Sequence, residues 1–447
     1  MRVITYGTYD LFHEGHRRLL ERAKELGDHL IVAVTTENFD DARGKLNVQQ
    51  SLMERIHNVE ACGIADEIII EEYEGQKIND IQKHDVDIFA IGSDWLGKFD
   101  YLNDYCQVVY LERTKGVSST MIRNETGGIL RVGVVGTGRI AHRFVDEARY
   151  VSGVDVAAAW SRNPENVSAF VDRHELDLAA QDFNELLAAV DAVYIASPHM
   201  AHGEHVRRAL EQGKHVLCEK PLTLTASETT ELFALADERE LVLLEAVKTA
   251  FAPGFARMVA VARSGSIGEI RSVDATFTKL TPSDSREFDP EQGGGSLSEL
   301  ASYPLVAIVK LLGEDHVEQR TVSLKEGDGA VDSFSRIDLR YPHAVASARV
   351  GLGVKAEGDL VIGGTKGYLY VPAPWWKTEY FECRFENATE NKKFYYKFDG
   401  DGLRYEIAEF SYMIRRGQAE NFKLRRSESQ WMARVIEAAR ADADIIA

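Results

Sequence analysis

A strand that runs into a glycine turn and then a helix occurs twice in this chain, and each occurrence is the opening of a parallel sheet. Arg2-Val3-Ile4-Thr5-Tyr6 leads into Gly7-Thr8-Tyr9-Asp10-Leu11-Phe12-His13-Glu14-Gly15-His16, and Arg131-Val132-Gly133-Val134-Val135 leads into Gly136-Thr137-Gly138-Arg139-Ile140-Ala141. A helix starting directly after a buried strand presents unpaired N–H groups and the positive end of its dipole to an anion. The pattern therefore predicts two phosphate-holding turns on two nucleotide-scale sheets in tandem.

The remaining periodicity agrees with that frame. Apolar runs at Val3–Tyr6, Leu30–Val34, Glu67–Ile70, Ile88–Ile91 and Val108–Leu111 alternate with helical stretches at Gly15–Leu26 and Ser51–Cys62, giving one α/β unit over residues 1–126. A short capped helix, Ser118–Arg123, closes it, and Thr126-Gly127-Gly128 reads as a linker. The second sheet continues through Val154–Trp160, Ala192–Ala196, His215–Cys218 and Val242–Leu244, so residues 130–250 form a dinucleotide-binding Rossmann domain. Beyond it, Ser272–Lys279, Thr321–Lys325, Ser335–Tyr341, Ala344–Gly351, Gly367–Val371 and Tyr380–Phe385 alternate with few helices between them. Residues 251–447 are expected to be an α+β domain on an open antiparallel sheet, finished by helices at Arg404–Arg416 and Ser427–Ala439. The fold class is α/β, with the antiparallel sheet domain appended.

A net charge of -19 argues against nucleic acid or an anionic membrane surface as the partner, since both need clustered cations. The four cysteines are widely spaced without a CxxC, which excludes a disulfide scaffold and paired zinc ligands and fits a reducing cytoplasm. The opening strand lacks the pattern of a signal peptide, and no window is apolar enough to span a membrane.

The first turn places two imidazoles on either side of a glycine, so both can reach one phosphate group. With Ile91-Gly92-Ser93-Asp94-Trp95, Gly97-Lys98-Phe99-Asp100 and Arg113-Thr114-Lys115-Gly116-Val117-Ser118-Ser119-Thr120, it resembles glycerol-3-phosphate cytidylyltransferase, within the HxGH nucleotidyltransferases, over residues 1–125. The resemblance implies that His13 and His16 stabilise the triphosphate of CTP while its α-phosphorus is attacked. Arg113 with Ser119 and Thr120 would hold the leaving phosphates. Gly7, Thr8 and Tyr9 would line the nucleotide turn; Arg43, Lys45 and Arg55 would grip phosphate; Asp10 would position Mg²⁺ or phosphate. Asp94 and Trp95 would shape the acceptor or cytidine pocket. The nucleophile is an ionised phosphate oxygen, so positioning and charge neutralisation suffice and no strong base is required.

At the second turn Gly136 allows the tight bend, Gly138 the approach of a pyrophosphate, and Ala141 the packing of the helix, with Arg139 and Ile140 at its first turn. Ser161-Arg162 stands where a ribose-binding carboxylate is expected, which favours NADP(H) over NAD(H), although Arg162 as a solvated loop residue stays open. Ser197-Pro198-His199-x-x-His202, Cys218-Glu219-Lys220-Pro221-Leu222 and Glu245-Ala246 resemble the glucose-fructose oxidoreductase and inositol dehydrogenase (Gfo/Idh/MocA) family over residues 130–447. That resemblance implies cofactor contacts from Ser197, His202, Glu219 and Lys220, with Lys220 touching both nicotinamide ribose and substrate. Gly293-Gly294-Gly295 leads a helix on which Glu299 and Tyr303, four apart, share a face. Tyr303 resembles the proton donor or acceptor of the dihydrodiol-dehydrogenase branch; Glu299 stands where the family has aspartate, and substrate contact or an ion pair are both open. His199 and His202 read as structural or rim groups rather than catalysts.

The two resemblances together imply a bifunctional enzyme. NAD(P)H would reduce a keto or aldehyde sugar phosphate to a glycerol- or pentitol-type alditol phosphate, and CMP transfer from CTP would convert this to a CDP-alditol, a precursor type for teichoic-acid-like or capsular polymers. The alternatives are an oxidoreductase domain acting on an unrelated substrate, on the CDP-alditol itself, or as a nucleotide sensor. Homo-oligomerisation is expected from the open sheet.

Overall fold

The computed structural model describes residues 1–36, 39–40, 44–73, 75–112, 128–325 and 330–446. They divide into two compact units, Met1–Asp191 and Ala192–Ala447.

The first unit begins with five strands, β1 Arg2–Gly7, β2 His29–Thr35, β3 Glu67–Glu71, β4 Ile88–Gly92 and β5 Gln107–Leu111. They pair in the order β3-β2-β1-β4-β5, every pair parallel. Such strands are buried on both faces, which is why Val3, Ile4, Leu30, Ile31, Val32, Ala33 and Val34 are all fully buried in an unbroken apolar run. Helices α1 Glu14–Glu25, α2 Leu52–Ala61 and α3 Gln76–Lys83 cover them. Ser51 starts α2 with a reciprocal capping box to Glu54. The order reverses at β1, so the crevice beyond the carboxyl ends of β1 and β4 is where a doubly wound sheet takes its ligand. His13, His16, Asp94 and Trp95 all follow those two strands.

The same unit contains β6 Leu130–Val135, α4 Arg139–Ala148, β7 Val154–Trp160, α5 Pro164–His174, β8 Leu178–Ala179 and α6 Phe183–Ala189, with β6/β7 and β7/β8 parallel. The predicted helix at 118–123 and the linker at 126–127 lie outside the described residues.

In the second unit β9 Ala192–Ile195, β10 His215–Glu219 and β11 Leu243–Ala246 are again parallel, with α7 His202–Glu211 and α8 Ala226–Glu238 between them. A nine-stranded sheet follows: β12 Ile270–Thr278, β13 Glu318–Lys325, β14 Asp332–Arg340, β15 Val345–Gly351, β16 Leu360–Gly364, β17 Tyr368–Val371, β18 Tyr380–Arg384, β19 Lys392–Tyr395 and β20 Asp444–Ile446. Its order is β19-β18-β17-β16-β12-β15-β14-β13-β20. The expectation of a purely antiparallel sheet is corrected here, because β12/β15 and β13/β20 are parallel. β15 reaches β12 only after intervening helices and the strands β13 and β14, and β20 reaches β13 only at the end of the chain after two further helices; long connections of this kind are what permit parallel neighbours. The glycine-led segment gives two helical pieces, Ser296–Leu300 and Ser302–Leu312, meeting at Ala301, whose backbone is itself right-handed helical.

Candidate active sites

The first turn is held from below. Tyr9 (φ 52°) and Leu11 (φ 49°) both sit in the left-handed region, a conformation that persists only where neighbours enforce it. Arg55, fully buried, donates from Nη1 to the carbonyls of Thr8 at 2.7 Å and Thr35 at 2.8 Å, and from Nε to Gln50 O at 3.1 Å. Gln50 Oε1 accepts from Leu11 N at 2.8 Å, and the Thr8 hydroxyl donates to Asp40 at 3.0 Å. The expectation that Arg55 grips phosphate is thereby corrected, since its guanidinium is sealed inside and shapes the turn. Asp10 is corrected likewise: its carboxylate accepts from Gln49 N at 3.0 Å, from Gln50 N at 2.9 Å and from the Ser152 hydroxyl. An acid committed to two amides and a hydroxyl is a strut for the 49–50 loop, and among the described residues no group of three His, Cys, Asp or Glu side chains could hold a metal. Thr8 and Tyr9 face inward, Tyr9 being 1% exposed in the core, so only the backbone of this stretch can meet a nucleotide.

Above that floor stand the imidazoles. His13 caps α1, its Nδ1 accepting from Gly15 N at 3.0 Å, which leaves Nε2 as the ring's donor in the neutral tautomer. Gly15 is required there, because a Cβ would lie 2.8 Å from His13 Cε1. The two rings stack at 3.9 Å between centroids. Burial, then His13, then Lys45 hold His16 well below the ordinary imidazole range, so the ring is neutral at pH 7. Its Nδ1 is buried without a hydrogen-bond partner among the described residues. Lys45 donates to Arg149 O at 2.7 Å. Trp95 packs against Phe99 at 6.0 Å, and Asp94 meets Arg149, whose Nη1 donates to Asp94 O at 3.1 Å. Arg43, Arg113, Ser119 and Thr120 lie outside the described residues.

At the second turn Gly136 has φ 104° and donates from its amide to Trp160 O at 2.8 Å. Gly138 caps α4 with no side-chain bond, and a Cβ placed on it would meet nothing within 4 Å. Ala141 is fully buried against the sheet. A bare helix start with open space in front of it fits a dinucleotide pyrophosphate. Arg139 and Arg162 are exposed, Ile140 and Ser161 half-buried, and the Ser161 hydroxyl caps its own loop at Asn163.

In the second unit Lys220 donates to Glu299 O at 2.7 Å and its ammonium lies 5.6 Å from the centre of the Tyr303 ring. Tyr303 leans on Phe277 at 4.8 Å, which stacks face to face on Trp376 at 3.7 Å. Glu299 Oε1 lies at ion-pair distance from Arg286, 3.4 Å from Nη1, and 3.8 Å from Nε2 of His199, whose ring burial keeps neutral; Oε1 makes no hydrogen bond among the described residues. The contact with Arg286 is the ion-pair reading of the two, and the backbone carbonyl of Glu299, rather than its carboxylate, addresses Lys220. Arg286, Phe277 and Trp376 belong to no motif and arrive from separate segments, so spacing gave no signal for them. His202 is fully buried with both ring nitrogens on carbonyls, Pro221 at 2.9 Å and Ser197 at 2.8 Å, which makes it a pin between loops and corrects its cofactor assignment. The Ser197 hydroxyl pairs with His205 at 2.9 Å. Glu219 accepts from the buried Tyr194 hydroxyl at 2.6 Å, and burial raises its pKa against the pull of Lys220 and Lys248. Its carboxylate thus belongs to an internal network. Burial also raises Glu245 to about 7.

A stacked imidazole pair at one strand-to-helix turn, and a bare dinucleotide turn with a lysine–tyrosine pair elsewhere in the chain, define a nucleotidyl transferase joined to a nicotinamide oxidoreductase. Comparison with known families agrees. Residues 4–125 match the cytidylyltransferase-like family, 130–247 the NAD-binding Rossmann fold of the Gfo/Idh/MocA oxidoreductases, and 255–370 a Gfo/Idh/MocA C-terminal domain. The glycerol-3-phosphate cytidylyltransferase of Bacillus spizizenii is 50% identical over 128 residues, covering 29% of this chain and 98% of that protein. The trans-1,2-dihydrobenzene-1,2-diol dehydrogenase of Sus scrofa is 29% identical, covering 70% of this chain and 96% of the relative. A 3-ketoreductase from Actinomadura kijaniata, solved with NADP and TDP-benzene, superposes with TM-score 0.66 at 27% identity, covering 71% of this chain and 98% of that structure. The chain belongs to the glycerol-3-phosphate cytidylyltransferase family in its N-terminal part and to the Gfo/Idh/MocA oxidoreductases in the remainder, and it is a bifunctional enzyme. No helix among the described residues is long and apolar enough to cross a membrane.

Proposed function

We propose that the chain reduces a keto or aldehyde sugar phosphate to an alditol phosphate with NADPH and then transfers CMP from CTP to that phosphate, releasing pyrophosphate. The observation that carries the reading is the coexistence in one polypeptide of the stacked His13–His16 pair and of Lys220 set between Glu299 O and the Tyr303 ring. Each is the chemistry-bearing part of one step, and tethering raises the local concentration of the shared intermediate.

In the transfer step the acceptor's phosphate oxygen attacks the α-phosphorus as the bond to pyrophosphate breaks. His13, donating through Nε2, and neutral His16 stabilise the charge that grows on the triphosphate without desolvating a fixed cation. In the reduction, NADPH supplies a hydride to the carbonyl carbon. Tyr303 gives its hydroxyl proton to the carbonyl oxygen, and the Lys220 ammonium, anchored by Glu299 O, favours the tyrosinate left behind. Exposed Arg162 with Ser161 suits a 2′-phosphate, supporting NADP(H). Lys45, Asp94 and Trp95 are assigned to the acceptor side of the transfer site.

A second reading is favoured by one observation: the ketoreductase neighbour was solved with a nucleoside-diphosphate ligand, TDP-benzene. On that reading the oxidoreductase acts on the CDP-linked product. The assay that separates the two offers ketose and alditol phosphates with CTP and NADPH, each omitted in turn. NADPH oxidation that proceeds without CTP, followed by pyrophosphate release, supports reduction first; NADPH or NADP⁺ turnover that begins only after CTP is consumed supports the second reading.

A further inference from the structure

The segment Arg149-Tyr150-Val151-Ser152, between α4 and β7, belongs by sequence to the dinucleotide-binding region, yet its contacts are with the transfer site. Leu46 N donates to Tyr150 O at 2.7 Å and Ser152 N to Leu46 O at 2.8 Å, a short parallel bridge of Leu46 with Val151. Lys45 Nζ donates to Arg149 O at 2.7 Å, and Ser152 holds the Asp10 strut. The Tyr150 ring stands edge-on to Trp95 at 5.8 Å, and its hydroxyl accepts from Lys98 Nζ at 3.0 Å.

Arg149 is the member of this segment with charge to offer. Its Nη1 donates to Asp94 O at 3.1 Å and lies 3.7 Å from the Asp146 carboxylate, while Nη2 stands 3.8 Å from Asp94 Oδ1. At 3.8 Å there is no hydrogen bond, and Asp94 Oδ1 is buried with no such partner among the described residues. A carboxylate at the acceptor pocket would repel an incoming phosphate dianion unless a cation faced both, and a guanidinium can bind a phosphate through two parallel N–H bonds.

We propose that Arg149 binds the phosphate of the acceptor in the cytidylyl-transfer site, with Tyr150 closing the pocket against Trp95. The inference rests on the reading that Asp94 and Trp95 shape that pocket. The transfer site is then composite: the dinucleotide-binding half adds a guanidinium to the acceptor side that Lys45, Asp94 and Trp95 begin.

The test uses the full-length chain with R149A, R149K and Y150F, glycerol 3-phosphate and a pentitol phosphate as acceptors, and saturating CTP. R149A should raise the acceptor KM about tenfold to a hundredfold, the loss expected for a charged hydrogen-bonded contact, with the KM for CTP and NADPH oxidation unchanged. R149K should recover part of the loss, as a point charge without the fork. An unchanged acceptor KM, or equal increases for CTP and acceptor, overturns the proposal. If R149A also loses NADPH oxidation, R149K decides by the same criterion. Calorimetric titration of either acceptor into wild type and R149A reads the contact without turnover. A wild type that binds an acceptor but releases no pyrophosphate therefore sinks the proposed function while Arg149 is still decided, and a wild type that binds neither acceptor overturns the proposal.

Discussion

The transfer turn and the lysine–tyrosine cluster handle charge in opposite ways. At the transfer turn the working groups are neighbours in the chain, His13 capping the helix on which His16 sits one turn later, and the protein keeps His16 neutral by burying it. In the oxidoreductase cluster Lys220, Arg286 and the Glu299–Tyr303 stretch come from three separate segments, and a backbone carbonyl orients the ammonium. Phosphoryl transfer needs preorganised donors that reach one anion from one place. Carbonyl reduction needs a proton donor and a cation on one face of a substrate whose other face is left to the hydride. The difference between a local and an assembled site follows from the chemistry each must do.

The sharpest way to break this comparison is to remove one member of each pair. H16A or H13A should lower CMP transfer by about two to four orders of magnitude, the range for deleting a preorganised charge-stabilising donor, with NADPH oxidation intact. Parallel assays of pyrophosphate release and NADPH absorbance read both, and loss of both activities together would contradict separate sites. Y303F should reduce hydride transfer by roughly 10²- to 10⁴-fold, the usual worth of a positioned proton donor, and leave CMP transfer alone. G15A comes next: a Cβ 2.8 Å from His13 Cε1 must displace that ring, and misplacing a reacting group by about 1 Å is worth on the order of 100-fold in transfer rate.

The smallest effect is a pH dependence. The folded-state pKa of His16 is depressed, so the neutral ring is present at all pH values above the ordinary imidazole pKa and is protonated only well below it. The CMP-transfer rate should therefore be flat from about pH 6.5 to 8.5, the upper side of the unperturbed histidine value, and H16A should remove any loss seen on further acidification. By the same sign, the stability that neutral burial of His16 gives is lost as pH falls below the unfolded value, since the unfolded chain then takes up a proton that the folded one resists. A rate that falls with an apparent pKa near 6.5 in wild type but not in H16A would contradict the burial argument.

The contrast also decides what could be read from residues alone. The parallel strands announced themselves as short apolar runs, and the HxGH turn lies within a single stretch, so its imidazoles and its required glycine were legible. Arg55 and Asp10 were misread because burial is invisible in sequence: the same charged types that grip phosphate also brace the turn beneath it. Glu299 was half legible. Its glycine-led helical start was readable, but the structure divides the expected single helix between Glu299 and Tyr303, and Arg286, 3.4 Å from its carboxylate, sits in a short turn with no periodic signal. The mixed character of the large sheet escaped because alternation reports which face a residue is on and says nothing about strand direction. Arg149 and Ser152 were missed because a domain boundary drawn at a linker hides what packs across it.

The most direct test of the account is equilibrium titration of the intact chain with CTP and with NADPH, singly and together. One CTP and one NADPH should bind per chain, each with the other saturating, with H16A weakening CTP alone and substitution of Gly138 by valine weakening NADPH alone. Competition between the two nucleotides, or a single shared equivalent, would contradict it.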